Sequence, residues 1–417
     1  MKYKSAIKLI LISSTVFITA CGGGNTQPDV IQPVTIKFDC TDGPDCPAIN
    51  VSGDPTYILP NGQTSPIRGH ADPSIRKDPN SDRLWMSYSY VGIHAEPSND
   101  PAAPFITPYV SVHLAHSDDK GKNWIFDKNI WESTPGIDQG YTTDVGYSIH
   151  EVSTITPFTL NNTTEWFALH LRYFLKKGDP IDKRLPSSFR HILTRATTPN
   201  ELGNNTEAVL SNPMTAPGWG SDINFSQLDP TLNDCDLWGE PALFQDGNKL
   251  FLFTECLKID ISTVPTTRLY DEEFTAVFAT EVNNDVTTFN WQWLGNIVTS
   301  ATAHELGSTI LTQVDIARSR DGTLLLIVTP GNNTSGESIS HFGCRVLEIE
   351  SLNPPKLATH PDGSLIVRAE ITSSDSESSG LCAYDPASDT GVVLVRTRVD
   401  PVKPELFWQL HATGIHP

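Results

Sequence analysis

Short apolar strands, each preceded by an acidic residue, recur along the chain. In three segments an acid is followed six residues later by a turn aspartate, and then by an apolar run; the pairs are Asp72 and Asp78, Glu240 and Asp246, and Asp315 and Asp321. A looser copy starts at Glu151, and a fifth turn at Asp362 has Lys356 in place of the acid. Because apolar runs joined by Asp-Gly or Asn-containing turns favour hairpins, each copy predicts two antiparallel β-strands.

The spacing of these copies predicts an all-β fold, a five-bladed β-propeller. The leading acids of the first four copies are about 75 to 90 residues apart, which leaves room for two more strands in each repeat. Four strands per repeat are typical of a propeller blade, and five repeats fill residues 50–417. A six-bladed, sialidase-like propeller is the alternative. Strands predicted at 392–399 and 407–413 are expected to pair with an N-terminal strand and so close the ring.

The composition agrees with this fold and limits the partners. Of the 417 residues, 38% are hydrophobic and 19% are charged, which is enough apolar material for a core. The formal net charge of −20 would repel phosphate groups, and this argues against nucleic acid as a partner. We expect a monomer that needs no cofactor.

The N-terminal segment resembles a bacterial lipoprotein leader. Lysines are followed by an apolar stretch at 9–19 that is too short to span a bilayer, and then by small residues and Cys21. This resemblance to a lipobox implies a signal peptide of residues 1–20 and acylation of Cys21; a secretory signal without lipidation is the alternative. Residues 21–49 would form a lipidated tether with a small cysteine loop. Gly22 resembles the outer-membrane sorting pattern. The lipid would be the only contact of the protein with a membrane.

The six remaining cysteines predict three disulfides, because their number is even and the expected compartment is oxidising. Proximity along the chain favours the pairs Cys40 with Cys46, Cys235 with Cys256, and Cys344 with Cys382. The chain has no Cys-x-x-Cys pair, so a zinc site is not favoured. Asp234 and Asp236 are carboxylates close together in the sequence, so a structural calcium ion bound to them is an open alternative.

Residues 117–124 match the pattern S-x-D-x-G-x-x-W. This resembles the Asp-box of sialidases and related propellers. Asp119 is expected to cap the turn, Gly121 to adopt a positive φ, and Trp124 to pack under the next blade. The motif supports a propeller but does not indicate a reaction.

In a propeller, the acids that begin the repeats would converge on one mouth of the central channel; they are Asp72, Glu151, Glu240 and Asp315. Crowded carboxylates repel each other, and at least one then keeps its proton near neutral pH. Glycoside hydrolysis uses that combination, because a carboxylic acid protonates the leaving oxygen while a carboxylate activates water.

Two short motifs resemble those of glycoside hydrolase family 43 and its relatives. Ala71-Asp72-Pro73 looks like the motif that carries the family's general base, and Gly239-Glu240-Pro241 looks like the motif of its general acid. The resemblance implies an inverting hydrolase of neutral sugars with Asp72 as base and Glu240 as acid. Glu151 would replace an aspartate that orients the acid and adjusts its pKa, with a side chain one carbon longer.

Four further residues are candidates for substrate binding: His150, Trp238, His304 and Asp315. His304 would correspond to a histidine in the central cavity of the family. Three of them also have a structural interpretation: His304 as a solvent-facing loop histidine, Trp238 as a tryptophan packed between blades, and Asp315 as an acid that caps a turn or binds a cation.

Two other functions compete with hydrolysis of neutral sugars. An exo-sialidase would hold a substrate carboxylate with arginines, but Asp72 stands where sialidases have the first of them. A non-catalytic glycan-binding lipoprotein would instead present aromatic side chains at the channel mouth; the candidates are Trp85, Tyr88, Tyr90, Trp166 and Trp238. A propeller that binds other proteins is a third class, indicated if the acids pointed into contacts between blades.

Overall fold

The predicted all-β fold is confirmed by the computed structural model. It describes residues 34–54, 57–59, 62–96, 105–137, 145–178, 186–211, 214–216, 219–260, 267–333, 339–400 and 405–417. One α-helix, α1 (Ser300–Glu305), occurs in this part of the chain, together with short 3-10 turns. No helix among the described residues is long and apolar enough to span a membrane. The leader, Cys21 and the start of the tether lie outside the described residues.

The strands form five groups that follow one another along the chain, in the arrangement of a β-propeller; the pairing within them is antiparallel except between β11 and β12. Two short strands precede them, β1 (Ile36–Asp39) and β2 (Val51–Ser52). Group one contains β3 (Ile67–Lys77), β4 (Leu84–Glu96), β5 (Phe105–Ser117) and β6 (Trp124–Trp131). Group two contains β7 (Thr134–Ile137), β8 (Val145–Leu160), β9 (Thr163–Lys176), β10 (Arg190–Ala196), β11 (Glu207–Ser211) and β12 (Ile223–Asn224).

The other three groups have the same antiparallel order. Group three contains β13 (Leu237–Asp246) and β14 (Lys249–Leu257), a small hairpin of β15 (Ile259–Asp260) and β16 (Thr267–Arg268), then β17 (Phe274–Glu281) and β18 (Gln292–Thr299). Group four contains β19 (Ile310–Arg318), β20 (Leu324–Asn333), β21 (Ile339–His341), β22 (Cys344–Leu352), β23 (Pro355–Leu357) and β24 (Val367–Thr372). Group five contains β25 (Ser378–Ala383), β26 (Val393–Asp400) and β27 (Glu405–Ala412).

One backbone feature recurs in β3, β8, β13, β19 and β25. Each of these strands has a bulge where its register with the next strand shifts. At each bulge one non-glycine residue has a positive φ; these are Asp72 (49°), Val152 (48°), Glu240 (42°), Gln313 (39°) and Leu381 (52°). Non-glycine residues rarely adopt this left-handed conformation. Five copies of it therefore mark the equivalent position in each group more reliably than the spacing of the acids does.

The fifth repeat begins later in the chain than the turn motif predicted. The segment around Asp362 lies between β23 and β24, which belong to the outer part of group four. The first strand of group five is β25, which begins at Ser378. The prediction was wrong here because an Asp-Gly turn serves any hairpin, whether it lies near the centre of the sheet or at its edge.

The N-terminal part of the chain closes the structure, as the sequence predicted. Strand β1 pairs with β24, Ala48 bridges His411 in β27, and β2 pairs with β6. We call residues 36–54 the N-terminal strap, because they cross the outer strands of groups four, five and one in turn. Strand β27 also pairs with the start of β3. The strap includes much of the segment expected to be a tether, so the sheets begin before residue 50.

Apolar faces of neighbouring groups pack against each other. Between groups two and three, the cluster includes Phe167, Leu193, Leu243, Leu252 and Trp238, all fully buried. The three disulfides form in the pairs that proximity favoured, between Cys40 and Cys46, Cys235 and Cys256, and Cys344 and Cys382. The first lies in the strap and the last joins group four to group five.

The turn at residues 117–124 connects β5 to β6. The Ser117 hydroxyl donates to Asp119 Oδ1 at 2.8 Å, and the same Asp119 oxygen accepts the backbone N–H of Asn123 at 2.9 Å. Gly121 has a φ of 87°, and Trp124 is buried in the cluster shared with group five. These contacts fix the turn, and it lies away from the bulges described above.

Candidate active site

Asp72, Glu151 and Glu240 come close enough to one another to interact electrostatically. Burial, together with the nearby charges of Glu151 and Glu240, raises the pKa of Asp72 to about 7, although hydrogen bonds from Ser89 and Gln313 oppose this rise. Two of these acids, Asp72 and Glu240, are themselves the left-handed residues of their bulges, and Glu151 immediately precedes Val152. A β-bulge redirects side chains, and the bulges in β3, β8 and β13 turn the carboxylates of three groups toward a common centre.

Ser89 couples the bulges of groups one and two. Its hydroxyl oxygen accepts the backbone N–H of Val152 at 3.0 Å, and its side chain also hydrogen-bonds Asp72. This small side chain on β4 therefore holds the strand of Glu151 against the strand of Asp72.

Gln313 links Asp72 to Glu240. Its side-chain Nε2 donates to Asp72 Oδ1 at 3.2 Å, while its backbone N–H donates to Glu240 Oε2. The two carboxylates are thus separated by roughly the span of one glutamine residue. Gln313 Oε1 is buried and has no hydrogen-bond partner among the described residues. Gln313 carries no signal in the sequence because it is not an acid, although it occupies the position equivalent to Asp72 and Glu240.

A second buried carboxylate lies beside Glu240. The Thr312 hydroxyl contacts Glu240 Oε2 and lies 3.3 Å from Glu255 Oε2. One hydroxyl has a single proton to donate, so Thr312 can satisfy both carboxyl groups only if one of them is protonated. Burial raises the pKa of Glu255 well above its usual range, and the charge of Arg268 opposes this effect.

Arg268 connects this pair to a third acid. Its Nη2 donates to Glu255 Oε1 at 2.8 Å, and its guanidinium contacts both carboxylate oxygens of Glu273, at 2.5 and 2.8 Å. Three acids and one arginine thus form a network on the group-three side of the site. The sequence carried one signal for it, since Glu255 interrupts the apolar strand β14.

Asp315 does not belong to this cluster, and the prediction that aligned it with Asp72 and Glu240 was wrong. Asp315 lies two residues beyond the left-handed Gln313 and is buried in an ion pair with Arg76, with Nη2 to Oδ1 at 2.5 Å. Its Oδ2 accepts the backbone N–H of Tyr384 at 3.1 Å. The equal spacing to the turn aspartate misled the alignment, because in β19 the left-handed residue lies eight residues before that aspartate, whereas in β3 and β13 it lies six residues before.

The other substrate-binding candidates lie in different surroundings. Trp238 is fully buried between groups two and three, so its ring cannot stack on a sugar. His150 is buried, and its Nδ1 lies 2.8 Å from His170 Nε2; burial lowers its pKa well below the usual range. His304 lies on α1 with a largely exposed side chain, 3.8 Å from Asp271. Trp238 is thus a tryptophan packed between groups, and His304 is a solvent-facing histidine. His150 is the neighbour of Glu151 in the sequence, and its side chain is buried in the sheet.

The candidate metal ligands have other partners. Asp236 Oδ2 accepts the backbone N–H of Ile259 at 2.8 Å and lies 3.6 Å from Lys258 Nζ, an ion pair that competes with calcium binding. Cys40, Cys46 and His411 lie within reach of a common ion, but the two cysteines form a disulfide and have no thiolate to offer.

Comparisons with known proteins give similarity of fold. No family model matches the sequence, and no curated protein matches it. Among solved structures, a family 117 glycoside hydrolase from Zobellia galactanivorans is similar with 8% identity and a TM-score of 0.43, covering 89% of this chain and 92% of that chain. A family 43 endo-arabinanase from Bacillus licheniformis is similar with 12% identity and a TM-score of 0.41, covering 87% and 94%. A Penicillium chrysogenum α-L-arabinanase complexed with arabinobiose has 12% identity, a TM-score of 0.37, and coverage of 87% and 84%.

Proposed function

We propose that the protein is a glycoside hydrolase that inverts configuration, built on five blades that correspond to the five strand groups. Glu240 acts as the general acid, Asp72 as the general base, and Glu151 as the group that orients the acid. The observation that carries the proposal is the bridge through Gln313, which fixes Asp72 and Glu240 on opposite sides of one residue. An inverting mechanism needs two carboxyl groups held apart so that a water molecule fits between the base and the sugar.

The left-handed backbone recurs at the bulges of all five groups, and in groups one and three it carries a carboxylate that would have a catalytic role. A non-glycine residue in the left-handed region costs roughly 1–3 kcal/mol, and such strain persists where the surrounding structure imposes it, commonly at functional sites. Asp72 and Glu240 both adopt this conformation, and each is followed by a proline. Because the strain sits on the two acids themselves, it fixes where their side chains point.

The proposal is tested by measuring reducing-sugar release from a panel of neutral and acidic glycans, with the anomer of the first product followed by NMR. We expect release from at least one neutral glycan with inversion at the anomeric carbon. A first product with retained configuration would contradict the mechanism. Release of sialic acid alone would favour the sialidase, and saturable binding without any release would identify a glycan-binding module.

The pH dependence of kcat/KM should have its acidic limb near pH 7. The base must be ionised to accept a proton from water, and burial raises the pKa of Asp72 to about 7. We therefore expect kcat/KM of the free enzyme to fall as the pH drops through 7. Removing a hydrogen bond that favours the ionised form should move this limb to higher pH, so we expect an upward shift in Gln313→Leu. Activity that falls only above pH 7 would instead make Asp72 the proton donor.

We also propose that the chain is a lipoprotein anchored through Cys21 to the outer membrane, with its propeller acting on glycans outside the bilayer. The support is the sequence pattern of the leader. Metabolic labelling with a palmitate analogue tests it: the wild type should incorporate the label, and Cys21→Ala should not. Labelling of both or of neither would contradict the anchor.

A further inference from the structure

A cavity of about 230 Å³ lies between group one, group five and the N-terminal strap. Its walls come from the start of β3, from β4 and β27, and from strap residues near 50. Four aromatic residues line it, Tyr57, Tyr90, Phe407 and Trp408. Asn50, Arg68, His70 and Gln409 add polar side chains to the lining, beside the apolar Ile49 and Val51. The cavity thus combines aromatic faces with hydrogen-bonding groups, the combination that orients small ligands.

The cavity adjoins the candidate active site. His70 lies in its wall and precedes Asp72 by only two residues on β3. A strand rises ~3.3 Å per residue, so the two backbone positions are roughly 7 Å apart. A chain-like ligand whose reacting unit lies at Asp72 can therefore extend into this cavity with its neighbouring unit.

The strap fixes the orientation of His70. Asp54, at the end of the strap, has a fully buried side chain whose Oδ2 lies 3.3 Å from His70 Nε2 and 3.1 Å from His113 Nδ1, and it accepts the hydroxyl of Tyr88 at 2.5 Å. Burial opposes the charge, but these hydrogen bonds hold the pKa of Asp54 below its usual range. Because Nε2 of His70 is committed to Asp54, the imidazole is held in one position in the cavity wall.

Two glycines make room for the aromatic side of the cavity. A Cβ at Gly92 would lie 2.7 Å from the ring of Tyr57. Gly69 has a φ of 135°, and a Cβ there would lie 2.1 Å from the carbonyl oxygen of Trp408. The close approach of Tyr57 and of the Trp408 backbone therefore depends on these two positions having no side chain.

We propose that this cavity binds one sugar unit of a glycan chain, adjacent to the unit that is cleaved at Asp72 and Glu240. Sugar rings present C–H faces that pack on aromatic rings and hydroxyl groups that need hydrogen-bonding partners, and the lining supplies both. Drug-sized ligands occupy pockets of ~300 Å³ or more. The smaller volume here suits a single sugar ring. The proposal rests on the glycosidase function proposed above and makes the substrate an oligosaccharide.

The experiment compares two substrates on the purified full-length protein in detergent. One is an oligosaccharide of the sugar found in the panel, and the other is an aryl glycoside with a single sugar of the same kind. Each aromatic contact is worth about a three- to tenfold change in affinity. We expect Tyr57→Ala and Trp408→Ala to reduce kcat/KM for the oligosaccharide by roughly that factor each, and to leave the aryl glycoside unchanged.

The control is Trp293→Ala, which truncates a half-buried tryptophan on β18 away from the cavity and should leave both substrates unaffected. If truncating Trp408 unfolds the chain, Tyr57→Ala and Gln409→Ala provide the test, since both side chains are partly exposed. Folded variants that process both substrates like the wild type would overturn the subsite. If no glycan is hydrolysed, titration with each oligosaccharide of the panel decides: weaker binding by Tyr57→Ala of an oligosaccharide that the wild type binds supports the cavity although the glycosidase proposal fails, and unchanged binding, or no binding by the wild type, overturns the cavity as well.

Discussion

Replacing Glu240 with glutamine should reduce turnover of natural glycans by about 10²- to 10⁴-fold, the range typical of losing a general acid. Glutamine has nearly the same shape and can still accept the backbone N–H of Gln313, but it cannot deliver a proton to the leaving oxygen. Proton donation matters most when the leaving group is a poor one. We therefore expect Glu240→Gln to retain far more activity on an aryl glycoside with an acidic phenol than on a natural glycan.

Asp72→Asn separates the two roles. Without the base, water is not activated whatever the leaving group, so this variant should lose activity on the natural glycan and the aryl glycoside alike. Kinetics of both variants on both substrates provide the measurement. Glu281→Gln, an exposed glutamate at the end of β17, is the matched control and should behave as the wild type does. A fully active Glu240→Gln would refute its role as acid, and selective rescue of Asp72→Asn by the better leaving group would reverse the two assignments.

The sequence indicated Asp72 and Glu240 as candidates but did not indicate the residues that hold them in place. Asp72 and Glu240 each lie in a local sequence motif, and the backbone at each has a left-handed conformation. The motif and the backbone conformation therefore single out the same two positions. The remaining parts come from residues that have no such motif. Gln313 contributes a backbone N–H and an amide, and Glu255 and Arg268 meet only because β14 and the hairpin of β15 and β16 bring them together. Contacts of this kind depend on the packing of separate strands and leave no local pattern.

The outline of the fold was predictable for a related reason. Alternating apolar strands and turn residues are local signals, and they indicated the hairpins of groups one, three and four. The bulges were not predictable, because a single extra residue changes which side chain faces the centre without changing composition. Asp315 was assigned to the site because it lies six residues before a turn aspartate, whereas the bulge of β19 lies eight residues before that turn, at Gln313. The fifth group lacks an acid at its bulge, where Leu381 stands, so only the Asp-Gly turn indicated it and placed it too early.

Asp315 should instead matter for stability, and Asp315→Asn should reduce the free energy of unfolding by about 3–5 kcal/mol, the usual cost of removing one partner from a buried ion pair. The side chains of Asp315 and Arg76 are almost completely buried, and they come from groups four and one. Asp315 also accepts the backbone N–H of Tyr384 from group five. One carboxylate therefore ties together the three groups at which the chain closes on itself. The neutral amide would leave the Arg76 guanidinium buried without its closest counter-charge.

Urea denaturation monitored by tryptophan fluorescence measures the loss as a lower midpoint at an unchanged slope. The matched control is Asp82→Asn, which removes the exposed partner of Lys77 and should change stability by less than about 1 kcal/mol. A double variant, Arg76→Met with Asp315→Leu, removes both charges and should recover much of the loss, because two apolar side chains leave no unpaired ion in the interior. If the single and double variants are equally unstable, the ion pair is not the cause and the hydrogen bond to Tyr384 is. If Asp315→Asn is as stable as the wild type, Asp385, whose charge also reaches Arg76, is sufficient to hold the arginine.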